Sequence, residues 1–175
     1  IIVLLAIMIA YLVVRRKNAL TSTVDIISMI PYIVPGTVLG IALLTGFNKK
    51  PVMLSGTMLI MVVALVIRRL PYTIRSSVAI LQQIPMSIEE AAISLGASKM
   101  KSFFKVTVPM MTAGIVSGAI LSWITCINEL SSSVMLYGGK TSTISVAIYT
   151  EVVRNSYGTA AALASILTVS TVVML

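Results

Sequence analysis

The chain has no histidine, a single cysteine and only five acidic residues among its 175. Without histidine it has no imidazole metal ligand and no imidazole general base. The one thiol, Cys126, lies in an apolar stretch; it excludes an internal disulfide framework and reads as a small buried hydrophobe. Charged residues make up 10% of the chain, against about 25% in a soluble globular domain. So few polar groups leave little from which to build a catalytic constellation. Glu129 with Ser131, Ser132 and Ser133 is the one acid–serine grouping worth naming, and no P-loop pattern offers a nucleotide site. No catalytic residue, metal site or cofactor is therefore expected, and the chain does not read as an enzyme.

What the sequence has instead is apolar bulk. Hydrophobic residues account for 58% and the mean hydropathy is +1.05. A soluble protein could not cover that much apolar surface, whereas a lipid bilayer solvates it. The net charge is +8, from 13 Lys and Arg. The basic residues flank apolar runs and do not form one dense patch, so a nucleic-acid partner is not expected. The fold class expected is all-α integral membrane.

Five apolar runs are legible: 1–14, 24–47, 52–67, 110–127 and 159–175. Two polar connections remain, 68–109 and 128–158. The run 52–67 is short for a bilayer, and Arg68 and Arg69 at its end are expected to snorkel and extend it. Asn48-Lys49-Lys50-Pro51 reads as a tight turn, with Pro51 starting the next helix. Residue 1 is Ile and both ends fall inside apolar runs. Arg15-Arg16-Lys17 follows the first run, where a signal peptide would carry its charge before it. The expectation is a single transmembrane domain, truncated at both ends.

Orientation follows from charge. If the runs alternate across a membrane, one side holds Arg15, Arg16, Lys17, Arg68, Arg69, Arg75, Lys99, Lys101 and Lys105. The other holds Lys49, Lys50, Lys140 and Arg154. The richer side is the cytoplasmic one, which places the 68–109 connection inside and 128–158 outside.

The second run contains Pro31-Tyr32-Ile33-Val34-Pro35-Gly36. Two prolines and a glycine there interrupt the backbone hydrogen-bond ladder. Two readings stay open: a kinked membrane helix, or a broken helix at Pro31, Pro35 and Gly36 lining a transport path. Gly36 and Gly40 have the spacing that lets helices approach closely. Asp25 and Glu129 fall near run ends and read as solvated at the membrane interface. No clearly mid-span acid or base is found, which counts against a channel or secondary transporter.

The 68–109 connection carries the most specific pattern. Ser87 and Glu90 have capping-box spacing. Ile88, Ala91, Ala92 and Leu95 fall at i, i+3, i+4 and i+7, one helical face, and Gly96 sits where a left-handed cap would end the helix. A second short helix is expected after Ser98, closing at Pro109, which also starts the next span. Two turns of helix are barely stable alone in water, so the first needs a surface to dock on: lipid, its own membrane domain or a partner protein.

The stretch Glu90-Ala91-Ala92, three residues, Gly96, nine residues, then Val106-Thr107-Val108-Pro109 resembles the EAA signature of ABC importer membrane subunits. Val106 and Val108 replace the family's Ile and Leu. The five runs around it are similar to the core of the type I importer permease fold. Pro31–Gly40 and Glu129–Tyr137 resemble segments of ferric-iron, polyamine and thiamine importer permeases, the ferric-iron type most. The resemblance implies a permease of the bacterial inner membrane, with ferric iron the expected substrate and polyamine, thiamine or another small solute as alternatives. It also implies three protein partners besides the lipid bilayer: an ABC ATPase subunit, a substrate-binding protein at the outer face, and a second permease half or subunit. The coupling contact to the ATPase would involve Ser87, Ile88, Glu90, Ala91, Ala92, Leu95, Gly96 and Pro109.

Overall fold

The computed structural model describes residues 1–139 and 141–175. Among these, helices dominate. In chain order they are α1 (Ile2–Arg15), α2 (Ala19–Ile33), α3 (Gly36–Gly46), α4 (Met58–Gln83), α5 (Met86–Ser94), α6 (Lys99–Ser102), α7 (Val108–Met110), α8 (Thr112–Ile127), α9 (Ser133–Leu136), α10 (Ile144–Val153) and α11 (Tyr157–Val173). A π turn over Phe103–Thr107 joins α6 to α7. Between α3 and α4 lies a two-stranded hairpin, β1 (Asn48–Lys49) with β2 (Val52–Met53), antiparallel with Asn48 opposite Met53 and Lys49 opposite Val52.

No single helix among the described residues is long and apolar enough to cross a membrane. Two bent pairs are, by length and composition: α2 with α3, and Lys99–Met110 with α8. The second pair bends by 68°. Its break is local chemistry. Pro109 lacks an N–H and its ring would clash with the carbonyl four residues back; the wider π turn ends just before it, with the Val108 amide bonded to the Phe103 carbonyl. The helix therefore runs on through Pro109 to Met110 and does not close there.

Two further expectations are corrected. Pro51 does not start a helix: it sits in the hairpin turn, where its missing N–H costs no ladder bond, and α4 begins at Met58. Nor does the third helix end near residue 67. It continues 26 residues to Gln83, about 39 Å at 1.5 Å per residue. Arg68 and Arg69 thus stand mid-helix rather than at a cytoplasmic end. Without them the charge count still favours the same side, seven basic residues against four, with Lys140 among the four lying outside the described residues.

The chain divides into two compact units. The first comprises residues 1–30 and 70–122. Ala6 and Ala10 of α1 meet Ile74 and Val78 of α4 in one apolar cluster; Leu81, Ile84 and Met111 form another, against which Tyr11 and Ile88 pack. Within this unit α8 lies on α4 through small residues. The Ser76 hydroxyl donates to the Gly114 carbonyl at 2.7 Å, and Thr73 donates to that of Gly118 at 3.2 Å. Polar side chains satisfied in this way are what helix packing in lipid requires. The second unit comprises residues 31–69 and 123–175. Its core gathers Leu43, Ile60, Met61, Ala64 and Leu136. Gly36 and Gly40 bring α3 onto the segment from Ser131 to α9: added Cβ atoms would lie 2.7 Å from Ser131 Cβ and 2.9 Å from Met135 Cβ. The glycine spacing is a packing seam.

Candidate functional site

Two sites stand out, one in each unit. The first is the short helix α5 and what holds it. Its start is set by Pro85, whose φ of −60° and ψ of 141° leave the chain extended at the cap. No side chain caps it, so the capping box expected of Ser87 and Glu90 does not form: both residues already lie inside the helix, past the cap position. Its end matches the expectation. Gly96 has φ +90°, in the left-handed region. The Gly96 amide bonds to the Ile93 carbonyl at 2.9 Å and that of Ala97 to Ala92 at 3.1 Å, the paired bonds of a Schellman cap. Ser98 then caps α6, accepting from the Lys101 amide.

The face expected of Ile88, Ala91, Ala92 and Leu95 is split. Ile88 turns inward onto Leu81, Ile84 and Met111. Leu95 is 90% exposed, and Ser87, Glu90, Ala91 and Gly96 are exposed as well, as is Pro109 outside the helix. Ala92 is half-buried. The outer surface of α5 thus carries one acid, small residues and a bare leucine.

Glu89 belongs to no motif in the sequence, yet it is the residue that ties α5 down. It is 5% exposed. Arg15 Nε donates to its Oε1 at 2.7 Å and the Tyr11 hydroxyl to its Oε2 at 3.0 Å. Arg15 Nη2 donates as well to the Ile84 carbonyl at 2.9 Å, just before α5 begins. Phe103 stacks edge-on against Tyr11 with ring centroids 4.7 Å apart. No local signal marks Glu89: it is chemically the same as Glu90, and the partner that selects it, Arg15, lies 74 residues away.

The second site lies in the second unit, beside the break between α2 and α3. Arg69 Nη2 donates to Glu129 Oε2, and Arg68 Nε lies 3.4 Å from the same oxygen. Arg68 Nη1 reaches the Val34 carbonyl at 3.0 Å, in the break between α2 and α3. Ser132 donates to Glu129 Oε1 through its amide at 3.0 Å and its hydroxyl at 3.2 Å. Glu129 is 4% exposed. It is neither solvated at an interface nor available as a base beside the serines, because arginines and Ser132 occupy both oxygens. A buried charge persists only when it is paired and hydrogen-bonded, and here two cations meet one carboxylate. Arg68 and Arg69 are thus paired charges in the middle of α4, where the sequence suggested a helix end. Asp25 likewise has a partner, Arg75 at 3.4 Å in the first unit.

Of the proposed path residues, Gly36 is buried at this second site. The Arg68 guanidinium would lie 3.0 Å from a Cβ placed on it. Pro35 is exposed and caps α3, and Pro31 stands half-buried inside α2.

Comparison with known proteins gives this geometry a context. The structure superposes on that of a bacterial ABC transporter involved in the import of the acidic polysaccharide alginate, with TM-score 0.77 and 16% identity over 99% of this chain and 68% of that one. That likeness concerns the fold. In sequence the chain is 32% identical over 166 residues to the ferric transport system permease protein FbpB of Actinobacillus pleuropneumoniae, covering 95% of this chain and 24% of that protein. It is 34% identical to the probable transport system permease protein NifC of Clostridium pasteurianum, covering 91% of this chain and 60% of that one. The sulfate transport system permease protein CysT of Escherichia coli is 25% identical over 95% of this chain. The chain thus spans about a quarter of the first of these relatives and three fifths of the second. The family described as "Binding-protein-dependent transport system inner membrane component" matches residues 2–175: the chain belongs to that family of inner-membrane transport components.

Proposed function

We propose that this chain is the transmembrane core of a permease in an ATP-driven importer, and that α5 is the element through which a separate ATPase subunit acts on it. The observation that carries this reading is the outer surface of α5. Glu90, Ala91, Leu95 and the left-handed Gly96 stand exposed on a helix whose other side is held by Glu89 and Ile88. A two-turn helix with an exposed leucine and a close-approach alanine is suited to insertion into a groove. Ser87 and Ala92 would flank the contact, Ile88 would support it from beneath, and Pro109 would fix the bend that follows.

ATP-driven closure of the ATPase pair would pull on α5 and shift the membrane helices between two packings, inward-open and outward-open. ATP chemistry would remain in the separate subunit. The breaks at Pro31, Pro35 and Gly36 would line the path, with Arg68 beside Gly36. Five spans, formed by α1, α2 with α3, α4, α8 and α11, would cross the membrane, with the segment from α5 to Pro109 as the coupling element between α4 and α8. The assembly would be completed by a second permease half and by a binding protein that delivers substrate at the outer face. The solved alginate importer in complex with its periplasmic protein has that kind of partner. Ferric iron is the substrate proposed, on the names of two relatives. Sulfate and 2-aminoethylphosphonate permeases are also among the relatives, so another small solute is the second reading, with polyamine and thiamine the examples that the sequence resemblance offers.

Co-purification tests this. The membrane-embedded protein containing this chain is solubilised gently, and its soluble companions are identified. An ABC-type ATPase that is retained by the native protein and lost with Glu90→Arg supports the coupling role. A well-inserted protein that never retains an ATPase sinks it.

A further inference from the structure

The inner side of α5 does not close fully onto α1. A groove of about 380 Å³ lies between them. It is lined by Met8 and Leu12 of α1, Met100 of α6 and Phe104 of the π turn, with the stacked Tyr11 and Phe103. From α5 it takes the face Met86, Glu89, Glu90 and Ile93, spaced i, i+3, i+4 and i+7, and not Ala91, Leu95 or Gly96. The groove shares Glu90 with the surface assigned above to the ATPase, and none of its other exposed residues.

Its occupant is written in two gradients. Along α1 the exposed residues Ile1, Leu4, Leu5, Met8 and Leu12 form one continuous apolar stripe, spaced to face lipid. That stripe runs directly into the groove. At the groove the chemistry changes sign. Arg15 is neutralised by Glu89. Arg16 and Lys99 at the rim are both exposed, and Glu90 is the one carboxylate left to oppose them. Lys17 follows Arg16 in the chain. An apolar channel that opens from a lipid-facing stripe and ends at surplus positive charge matches one ligand class: a molecule with an acyl chain at one end and an anionic headgroup at the other.

We propose that this groove is a binding site for a single anionic phospholipid, its acyl chain along Met8, Leu12 and Phe104 and its phosphate between Arg16 and Lys99. The site requires only that the end of α1 carrying Arg15 to Lys17 meets a membrane surface. It does not depend on α5 engaging an ATPase. It would seat lipid directly against the Arg15–Glu89 pair, so that the composition of the leaflet bears on how firmly α5 is held.

Photocrosslinking decides it. A photoreactive amino acid replaces Met100 in the membrane-embedded protein, reconstituted in phosphatidylcholine with a minor fraction of phosphatidylglycerol, and adducts are identified by mass spectrometry. Phosphatidylglycerol is expected among the adducts at roughly fivefold its share of the bilayer, the effect of one net cation near a lipid phosphate. Arg16→Gln with Lys99→Gln should abolish that enrichment. Lys49→Gln with Lys50→Gln, which removes the same charge elsewhere, should leave it intact. Lipid adducts in simple proportion to the bilayer would overturn the proposal, as would crosslinking of Met100 to protein, which would mean that a polypeptide covers the groove. The unsubstituted rim gives the first answer even if a rim variant fails to insert.

Discussion

Arg15 and Glu89, 74 residues apart in the chain, form a buried ion pair at 2.7 Å that joins the end of α1 to the inner face of α5. The pair is doubly anchored. Tyr11 holds the second carboxylate oxygen, and Arg15 also holds the Ile84 carbonyl. With both oxygens and the guanidinium fork engaged, α5 cannot turn about its axis without breaking charge-assisted bonds. The pair therefore couples the position of α5 to that of α1, beside the packing of Ile88 on Leu81, Ile84 and Met111.

Removing one partner leaves an uncompensated buried charge, which costs about 3–5 kcal/mol. Glu89→Ala should lower the thermal midpoint of the detergent-solubilised protein by more than Glu90→Ala, whose side chain is exposed. Arg15→Lys keeps the charge but loses the fork, and should fall between them. In a reconstituted importer the ratio of substrate moved to ATP hydrolysed should drop for Glu89→Ala more than hydrolysis itself does. Equal melting for Glu89→Ala and Glu90→Ala would show that the pair contributes nothing.

Gly96 is required by backbone, not by space. Its φ is +90°, yet no atom lies within 4 Å of where a Cβ would be. Gly96→Val should therefore cost about 1–2 kcal/mol from the left-handed conformation alone. Gly96→Asn should cost less, because asparagine tolerates that region. Limited proteolysis between α5 and α6 reads this directly: cleavage should rise with Val and stay near the native rate with Asn. Equal cleavage in all three would mean the cap does not constrain the loop.

Glu129 pairs with two arginines at once. Glu129→Gln should leave Arg68 and Arg69 facing each other in a buried site and destabilise the fold by about 3–5 kcal/mol. Arg69→Met alone should cost less, since Arg68 remains to pair with Glu129. Arg69→Met placed on Glu129→Gln should recover part of the loss, because it removes the surplus charge. Chemical unfolding in detergent measures all three. If the double variant is no more stable than Glu129→Gln, like-charge repulsion is not the cause.

Much of this was legible in the sequence, and the failures have physical reasons. The apolar runs and the proline–glycine break located helices α1 to α4 and α8. The left-handed cap at Gly96 and the Ser98 cap were readable because each is fixed by local geometry. The third run was cut short because Arg68 and Arg69 look like a membrane boundary. Yet Leu70, Ile74 and Leu81 continue the helical period beyond them, and the carboxylate that stabilises the arginines is 60 residues away. Glu89 and Glu90 are chemically identical in sequence. Only the position of Arg15, across the fold, decides which of them is buried. The capping box failed because the helix is capped by Pro85, two residues before Ser87.

Glycine offers a test in which the sign of the effect carries the conclusion. Replacing an exposed helical glycine by alanine stabilises a helix by up to about 1 kcal/mol. Gly158 in α11 meets nothing within 4 Å, so Gly158→Ala should raise stability. A Cβ on Gly114 would lie 2.5 Å from Ile80 Cγ2 and 2.7 Å from Ile80 Cβ, with the Ser76 carbonyl at 3.2 Å. No rotamer of Ile80 moves its own Cβ away, so α8 must shift off α4. Gly114→Ala should therefore cost about 1–3 kcal/mol, the range for overpacking. The hydroxyl bonds along the same seam matter less. Thr73→Val loses its bonds to Gly118 and Ser122, and such bonds between helices in lipid average about 0.6 kcal/mol. Unfolding in mixed micelles should then rank Gly158→Ala above the native protein, Thr73→Val slightly below it, and Gly114→Ala lowest. A Gly114→Ala variant as stable as Gly158→Ala would mean that α8 and α4 are not held at the distance seen here. The close approach of backbones, rather than the hydroxyl bonds, would then lose its place as the main contact between these two helices.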